Sequence, residues 1–204
     1  MKNTAKRITA ILLTFVLIFS LAGCGEVKKA ETAVNGMFAA FMAGDFDEAQ
    51  KYVDISDFEN DSNPITGDTK TMMEVLFGSL SYNIVSSEKN DDGSVSVKTE
   101  ITATDMKPVL ADLMLKAIEY SLSNAFADPA PTEEEMNAKM QELFIESATK
   151  PDLATVTNTV DIKAAKTENG DWKIQGSDEL VNALLGGMTD AALELSDALN
   201  NAAE

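Results

Sequence analysis

The spacing of the apolar residues, which changes along the chain, most constrains what this sequence can fold into. In two early segments the large apolar residues stand at offsets of 0, 3, 4 and 7: Val34, Met37, Phe38 and Phe41, then Met73, Leu76, Phe77 and Leu80. These offsets place the residues on one side of a helix. Further on the offset becomes two: Val95, Val97, Thr99, Ile101 and Ala103 alternate with polar residues. That alternation predicts a strand with one face in the core and the other in water.

The same two patterns predict the order of elements in the whole chain. Three helices are followed by a hairpin that turns at residues 90–93, two helices within 106–149, a second hairpin that turns at Asn169-Gly170, and a last helix. Separate groups of helices and antiparallel strands predict an α+β fold, in which helices pack in a cone-like arrangement on one face of a curved antiparallel sheet of about four strands. We expect a single domain over residues 30–204, with a two-helix insertion at 106–149 and a helical tail at 188–204.

Two segments resemble the nuclear transport factor 2-like superfamily, which has the cystatin-like cone fold. Residues 41–49, Phe-Met-Ala-Gly-Asp-Phe-Asp-Glu-Ala, resemble its N-terminal helix pair. Residues 169–174, Asn-Gly-Asp-Trp-Lys-Ile, resemble its closing strand, as found in uncharacterised lipoproteins of Gram-positive bacteria. The superfamily contains both enzymes and binding modules, so the resemblance implies a fold but no particular activity. The helices at 106–149 depart from the family pattern and alter the shape expected for any pocket.

The first 24 residues are typical of a secretory signal that ends in a lipid-attachment site. Lys2, Lys6 and Arg7 precede an apolar run that is shorter than the ~20 residues of a membrane-spanning helix. The run ends in Leu21-Ala22-Gly23-Cys24, which resembles a bacterial lipobox; an ordinary signal-peptidase site or a buried cysteine is the alternative. The resemblance implies cleavage of residues 1–23 and diacylglycerol on the Cys24 sulfur, with residues 24–29 as a short tether.

The predicted location of the mature chain is the outer face of a bacterial cell membrane, in a Gram-positive organism. The full chain has a formal charge of −18, from 34 acidic and 16 basic residues. Cleavage before Cys24 removes three basic residues and no acidic one, which leaves a charge of −21. Such a domain repels nucleic acid and anionic headgroups over a Debye length of ~8 Å. We therefore expect no nucleic-acid binding and membrane attachment through the lipid on Cys24 alone.

The inventory of reactive side chains predicts a non-catalytic domain without a cofactor. The sequence contains no histidine, and its only arginine and only cysteine are Arg7 and Cys24. The mature domain therefore lacks the usual general base near neutral pH, a free thiol and a guanidinium that could grip phosphate. We expect it to bind an envelope protein, a peptide or a small ligand, or to have a structural role in the envelope.

Two other kinds of site are weighed against this interpretation. The first is a cone-fold enzyme that uses a buried carboxylate and a tyrosine: Glu100 or Asp161 beside Tyr82 or Tyr120. The second is a calcium loop with ligands at template positions 1, 3, 5, 7 and 12: Asp57, Glu59, Asp61, Asn63 and Asp68. In that loop Ser62 stands where the template has glycine, and Pro64 follows, so we favour a solvated acidic loop without a metal.

Overall fold

The computed structural model describes residues 24–53 and 69–202. The described elements are, in chain order, α1 (Cys24–Ala43), α2 (Phe46–Ala49), α3 (Thr69–Phe77), β1 (Ser81–Lys89), β2 (Val95–Thr104), α4 (Met106–Asn124), α5 (Glu133–Ala148), β3 (Thr155–Lys166), β4 (Trp172–Ile174), α6 (Asp178–Leu184) and α7 (Met188–Ala202). The predicted α+β class, with its grouped helices and strands, is confirmed.

The four strands form one antiparallel sheet in the order β1-β2-β3-β4, so that each strand pairs with its neighbour in sequence. Strands β2 and β3 pair directly along their whole length, from Val95 opposite Ala164 to Thr104 opposite Thr155. The two helices between them, α4 and α5, therefore leave the sheet and return to it at the Thr104–Thr155 end. This pairing confirms that the sheet has four strands, with the helical segment lying outside it.

The helices that cover the sheet, α1 and α6, pack on one face only. The alternating residues of β2 that were predicted to point inward are all buried, and those between them are at least partly exposed. The core consists of these residues together with apolar side chains of α1, β3, β4 and α6, among them Val34, Met37, Phe38, Val160, Ile162, Ile174, Leu180 and Leu184. The sheet thus has one dry face and one wet face, as the alternation predicts.

Residues 24–29, expected to form a tether, instead form the first turns of α1. Val27 packs against the core, and Ala30 is fully buried, so the apolar side of the helix extends one turn further towards Cys24. Glu26 forms an ion pair with Lys89 at the end of β1. The hydrogen bond from Lys89, together with its charge, holds the pKa of Glu26 below its ordinary value. Burial of Val27 and Ala30 against the core explains why the segment continues the helix, and the ion pair joins it to the end of β1.

The α4–α5 hairpin is joined by a polar cluster near its base. The Ser147 hydroxyl donates a hydrogen bond to Asp112 Oδ2 at 2.7 Å. Lys116 Nζ lies 3.1 Å from the same oxygen and 2.9 Å from Glu146 Oε1, while Lys150 Nζ lies 2.7 Å from Asp112 Oδ1. The hairpin packs against α7 and α3 rather than across the sheet. It therefore forms a separate projection at one end of the domain.

Candidate functional site

An open groove of about 650 Å³ lies between α1 and the last hairpin of the sheet. Its walls come from three parts of the chain that are far apart in sequence: Lys29, Thr32 and Ala33; Lys51 and Tyr52; and Gly170, Asp171, Trp172 and Lys173. We call this feature the lysine groove. Three of its nine lining residues are lysines, although the domain as a whole is strongly acidic.

A sharp reversal after α1 brings the middle wall of the groove into place. Gly44 adopts a left-handed backbone with φ of 67°, which a glycine accepts without a steric penalty. Asp45 then caps α2 by accepting a hydrogen bond from the Glu48 backbone at 2.9 Å. The chain after α2 pairs with β4, where Ile174 N donates to Tyr52 O at 2.7 Å. These contacts hold Tyr52 between α1 and the edge of the sheet.

Two aromatic side chains, Tyr52 and Trp172, line the groove. The Tyr52 ring packs against the backbone of α1 at Gly36, and its hydroxyl donates to Glu48 Oε1 at 3.3 Å. Trp172 is largely buried in the core but one part of it lines the groove. Trp172 therefore belongs both to the core and to the rim of the groove.

The positive charge of the groove is only partly neutralised. Lys51 forms an ion pair with Glu48, whose hydrogen bond raises the pKa of the Lys51 ammonium. Lys173 Nζ donates to the backbone carbonyl of Gln50 at 3.3 Å. Within residues 24–53 and 69–202, neither Lys29 nor Lys173 forms an ion pair with a carboxylate. The groove therefore carries two ammonium groups that form no ion pair within these residues, beside one carboxylate of the lining, that of Asp171.

A second cleft, of about 500 Å³, lies between α4 and α5 near the tip of the hairpin. Its polar lining includes Tyr120, Glu135, Lys139 and Glu142. Lys139 pairs with Glu142 at 2.8 Å, and Glu135 completes the predicted capping box with Thr132. Because these charged groups already have partners, the second cleft has fewer charged groups that could bind a polar ligand than the lysine groove.

The carboxylates and tyrosines of the enzyme alternative do not come together. Asp161 is exposed on the wet face of the sheet, and Glu100, on the same face, accepts a hydrogen bond from Asn83 at 3.2 Å. Tyr82 lies on the other face, where its ring stacks on Phe38 with centroids 4.0 Å apart. Its hydroxyl donates to Asn35 at 2.7 Å, and burial raises its pKa. Tyr120 lies in α4, away from both carboxylates.

Several residues singled out by the sequence lie outside the described part of the chain. They are Leu21, Ala22 and Gly23 of the lipobox and Asp57, Glu59, Asp61, Asn63 and Asp68 of the calcium-loop pattern. Cys24 is the first residue of α1. Among the residues that the structure covers, no group of three acidic, cysteine or histidine side chains is placed to hold a metal ion. None of the described helices is long and apolar enough to cross a membrane.

No family model matches the chain, and no curated protein is similar to it. Among solved structures, it is similar to a candidate lipoprotein (ycdA) from Bacillus subtilis, with a TM-score of 0.42 and 20% sequence identity. The match covers 88% of this chain and 55% of that protein, so this chain spans about half of its length. The resemblance to the nuclear transport factor 2-like superfamily stays a prediction.

The sequence indicated only one wall of the lysine groove, the segment 169–174. Lys29, Lys51 and Lys173 each look like an ordinary surface residue where they stand in the sequence. The one local signal was the Asn169-Gly170 turn, which places Trp172 and Lys173 at the start of an edge strand. Contacts between residues more than 100 positions apart in the sequence bring the other walls of the groove next to this strand.

Proposed function

We propose that this protein is an exported, membrane-anchored lipoprotein whose domain binds an anionic ligand in the lysine groove without catalysing a reaction. The anchor rests on the signal and the Leu21–Cys24 pattern at the start of the chain. The binding function rests on one observation: two lysines without carboxylate partners in the described structure stand beside Tyr52 and Trp172 in a domain of strong negative charge.

Electrostatics favours this groove over the rest of the surface for an anion. An overall charge of −21 repels anions from most of the domain, whereas ammonium groups that line a concave surface attract them. An ammonium group donates hydrogen bonds and accepts none, which suits the oxygens of carboxylate or phosphate groups. The faces of Tyr52 and Trp172 add an apolar surface on which the remainder of the ligand rests. We therefore expect a ligand that combines acidic groups with an apolar or planar part.

The groove also lies close to the proposed anchor. Lys29 follows Cys24 by five residues within the same helix, which corresponds to about 8 Å along the helix axis. A ligand in the groove would therefore be held near the outer surface of the bilayer. This position fits a component of the cell envelope better than a solute captured far from the membrane.

The groove can be tested on the mature chain, residues 24–204, with tripolyphosphate and a hexaglutamate peptide as probes. Trp172 is the only tryptophan, so its fluorescence reports on the groove directly. We expect a saturable fluorescence change that Lys173→Glu abolishes. Lys98→Glu is the matched control, because Lys98 is exposed on the wet face of the sheet and the change in charge is the same. No saturable change with either probe, or an equal loss in both variants, would contradict the proposal.

The anchor has its own test, which is independent of the groove. Replacing Cys24 removes the only sulfur that could carry the lipid. We expect Cys24→Ala either to release the domain into the medium or to leave an unprocessed precursor. Fractionation and the mass of the product distinguish these results. A variant that stays in the membrane at the mature mass would show that the lipobox interpretation is wrong.

A further inference from the structure

One side of α4 carries large apolar residues that are about half to almost fully exposed in the described structure. Leu115 is 67% exposed, Ile118 46%, Leu122 70% and Phe126, just beyond the end of the helix, 97%. We call these four residues the α4 stripe. A single exposed leucine is ordinary on a protein surface, but three large exposed apolar side chains on one side of a helix, with a fourth just beyond its end, are typical of an interaction site.

The geometry of the helix groups these side chains on one side. At 100° per residue, Leu115, Ile118 and Leu122 lie within about 60° of one another around the α4 axis. Lys116, which pairs with Glu146 of α5, and Tyr120, in the cleft with α5, lie at least about 100° away from them. The stripe thus faces away from α5, so it does not contribute to the packing of the hairpin.

The α4–α5 hairpin that carries the stripe has negative charge that its own lysines do not neutralise. Each lysine of the α4–α5 hairpin is already paired with a carboxylate: Lys107 with Glu194, Lys116 with Asp112 and Glu146, and Lys139 with Glu142. In contrast, five carboxylates of the hairpin form no ion pair within the described residues: Glu119, Asp128, Glu133, Glu134 and Glu135. Glu119 lies between Leu115 and Leu122 in the sequence. A partner that covers the stripe therefore meets negative charge beside an apolar row.

The position of the hairpin separates the stripe from the proposed anchor. Lys89 pairs with Glu26, two residues from Cys24, and lies opposite Val95 at the start of β2. The hairpin begins beyond Thr104 at the other end of β2, about 30 Å away for a ten-residue strand. Repulsion between the acidic hairpin and anionic headgroups makes the membrane a poor partner for the stripe.

We propose that the α4 stripe binds an amphipathic basic helix of a partner protein. Apolar residues at offsets of three and four on such a helix match the spacing of Leu115, Ile118 and Leu122. Lysine or arginine residues beside that apolar row neutralise Glu119 and are attracted by the net negative charge of the hairpin. A second copy of this chain fits less well, because it would bring two acidic hairpins face to face.

The mature chain, residues 24–204, contains every core residue described above and serves for the test. The probe is a synthetic helical peptide of leucine and lysine with all leucines on one side. A peptide of the same composition with leucines distributed all around the helix controls for net charge. We expect fluorescence anisotropy to show tighter binding of the amphipathic peptide, and Leu122→Ser to weaken it about tenfold.

Met42→Ser is the matched control, because Met42 is a 51% exposed apolar residue of α1, outside the hairpin and the stripe, and its replacement should leave binding unchanged. Thermal unfolding of both variants shows that they fold. Equal affinity for the two peptides, or an equal effect of Leu122→Ser and Met42→Ser, would overturn the proposal. So would a dimer of the chain, or binding to phosphatidylglycerol vesicles, that Leu122→Ser removes, since the stripe would then have a different occupant.

Discussion

Gly36 of α1 lies directly against the ring of Tyr52, and a Cβ atom at Gly36 would stand 2.4 Å from Cε1 and Cζ of that ring. Glycine within a helix costs roughly 0.5–1 kcal/mol relative to alanine. Here the absence of a side chain lets an aromatic wall of the lysine groove approach the helix backbone. One glycine thus links the packing of α1 to the shape of the candidate site.

We expect Gly36→Ala to move the Tyr52 ring and to destabilise the domain by roughly 1–3 kcal/mol, as overpacking usually does. It should also weaken binding of the anionic probes to the groove. Chemical denaturation and the fluorescence of Trp172 measure the two effects. Gly25→Ala is the control, because no atom lies within 4 Å of its added Cβ. A Gly36→Ala variant as stable as Gly25→Ala would contradict this contact.

The pair Gly186 and Gly187, between α6 and α7, provides a second internal comparison. Both have positive φ, of 57° and 78°, but only at Gly186 does an added Cβ meet the backbone, 1.8 Å from Thr104 O. Met106 N also donates to Gly186 O at 3.0 Å, so the two segments cannot separate without losing a hydrogen bond. We expect Gly187→Ala to cost about 1–2 kcal/mol of conformational strain. Gly186→Ala should cost clearly more in the same denaturation experiment; equal losses would contradict the close approach.

Phe38 and Phe126 are two phenylalanines with opposite environments. Phe38 is fully buried and stacks on Tyr82, whereas Phe126 is almost fully exposed. We expect Phe38→Ala to lower the free energy of unfolding by about 3–5 kcal/mol. Phe126→Ala should change it by less than about 0.5 kcal/mol. Unfolding of both variants should remain a single transition. Two separate transitions would indicate that the elements do not share one core.

Asp112 makes the stability of the hairpin depend on pH. Hydrogen bonds from Lys150, Ser147 and Lys116 hold the pKa of this carboxyl well below its ordinary value of 3.8. A carboxyl group whose pKa is lowered by folding stabilises the folded state at pH values above its ordinary pKa. This stabilisation is lost as the pH falls from the ordinary pKa towards the folded-state pKa. Asp112→Asn should therefore be less stable than the natural chain at pH 7, and the difference should shrink below about pH 4.

Denaturation at a series of pH values from 7 to 3 measures this difference. Ser147→Ala and the variant with both substitutions complete a double-mutant cycle with Asp112→Asn. Because the two side chains share a hydrogen bond, the double variant should lose less free energy of unfolding than the sum of the two single losses. A difference between Asp112→Asn and the natural chain that stays the same from pH 7 to pH 3 would contradict the role assigned to Asp112.

The lysine groove illustrates why the candidate site could not be found from the sequence. Its walls meet because Gly44 reverses the chain after α1 and because Val53 pairs with Ile174, more than 100 residues away. The reversal was visible in the sequence, since glycine followed by a capping aspartate ends one helix and starts another. The pairing was not, because no local pattern indicates which distant strand edge a short segment joins.

The sequence by itself determined the class of fold, the order of elements and the buried face of β2, because helical and strand periodicities and turn residues are local signals. The tertiary structure decided which apolar faces are covered. Val27 looked like part of a tether but packs against the core, whereas Leu115 and Leu122 lie on a helix of apolar character and remain exposed. Burial depends on neighbours supplied by distant parts of the chain. The spacing of apolar residues therefore indicates on which side of a helix they lie, but not which part of the protein covers that side.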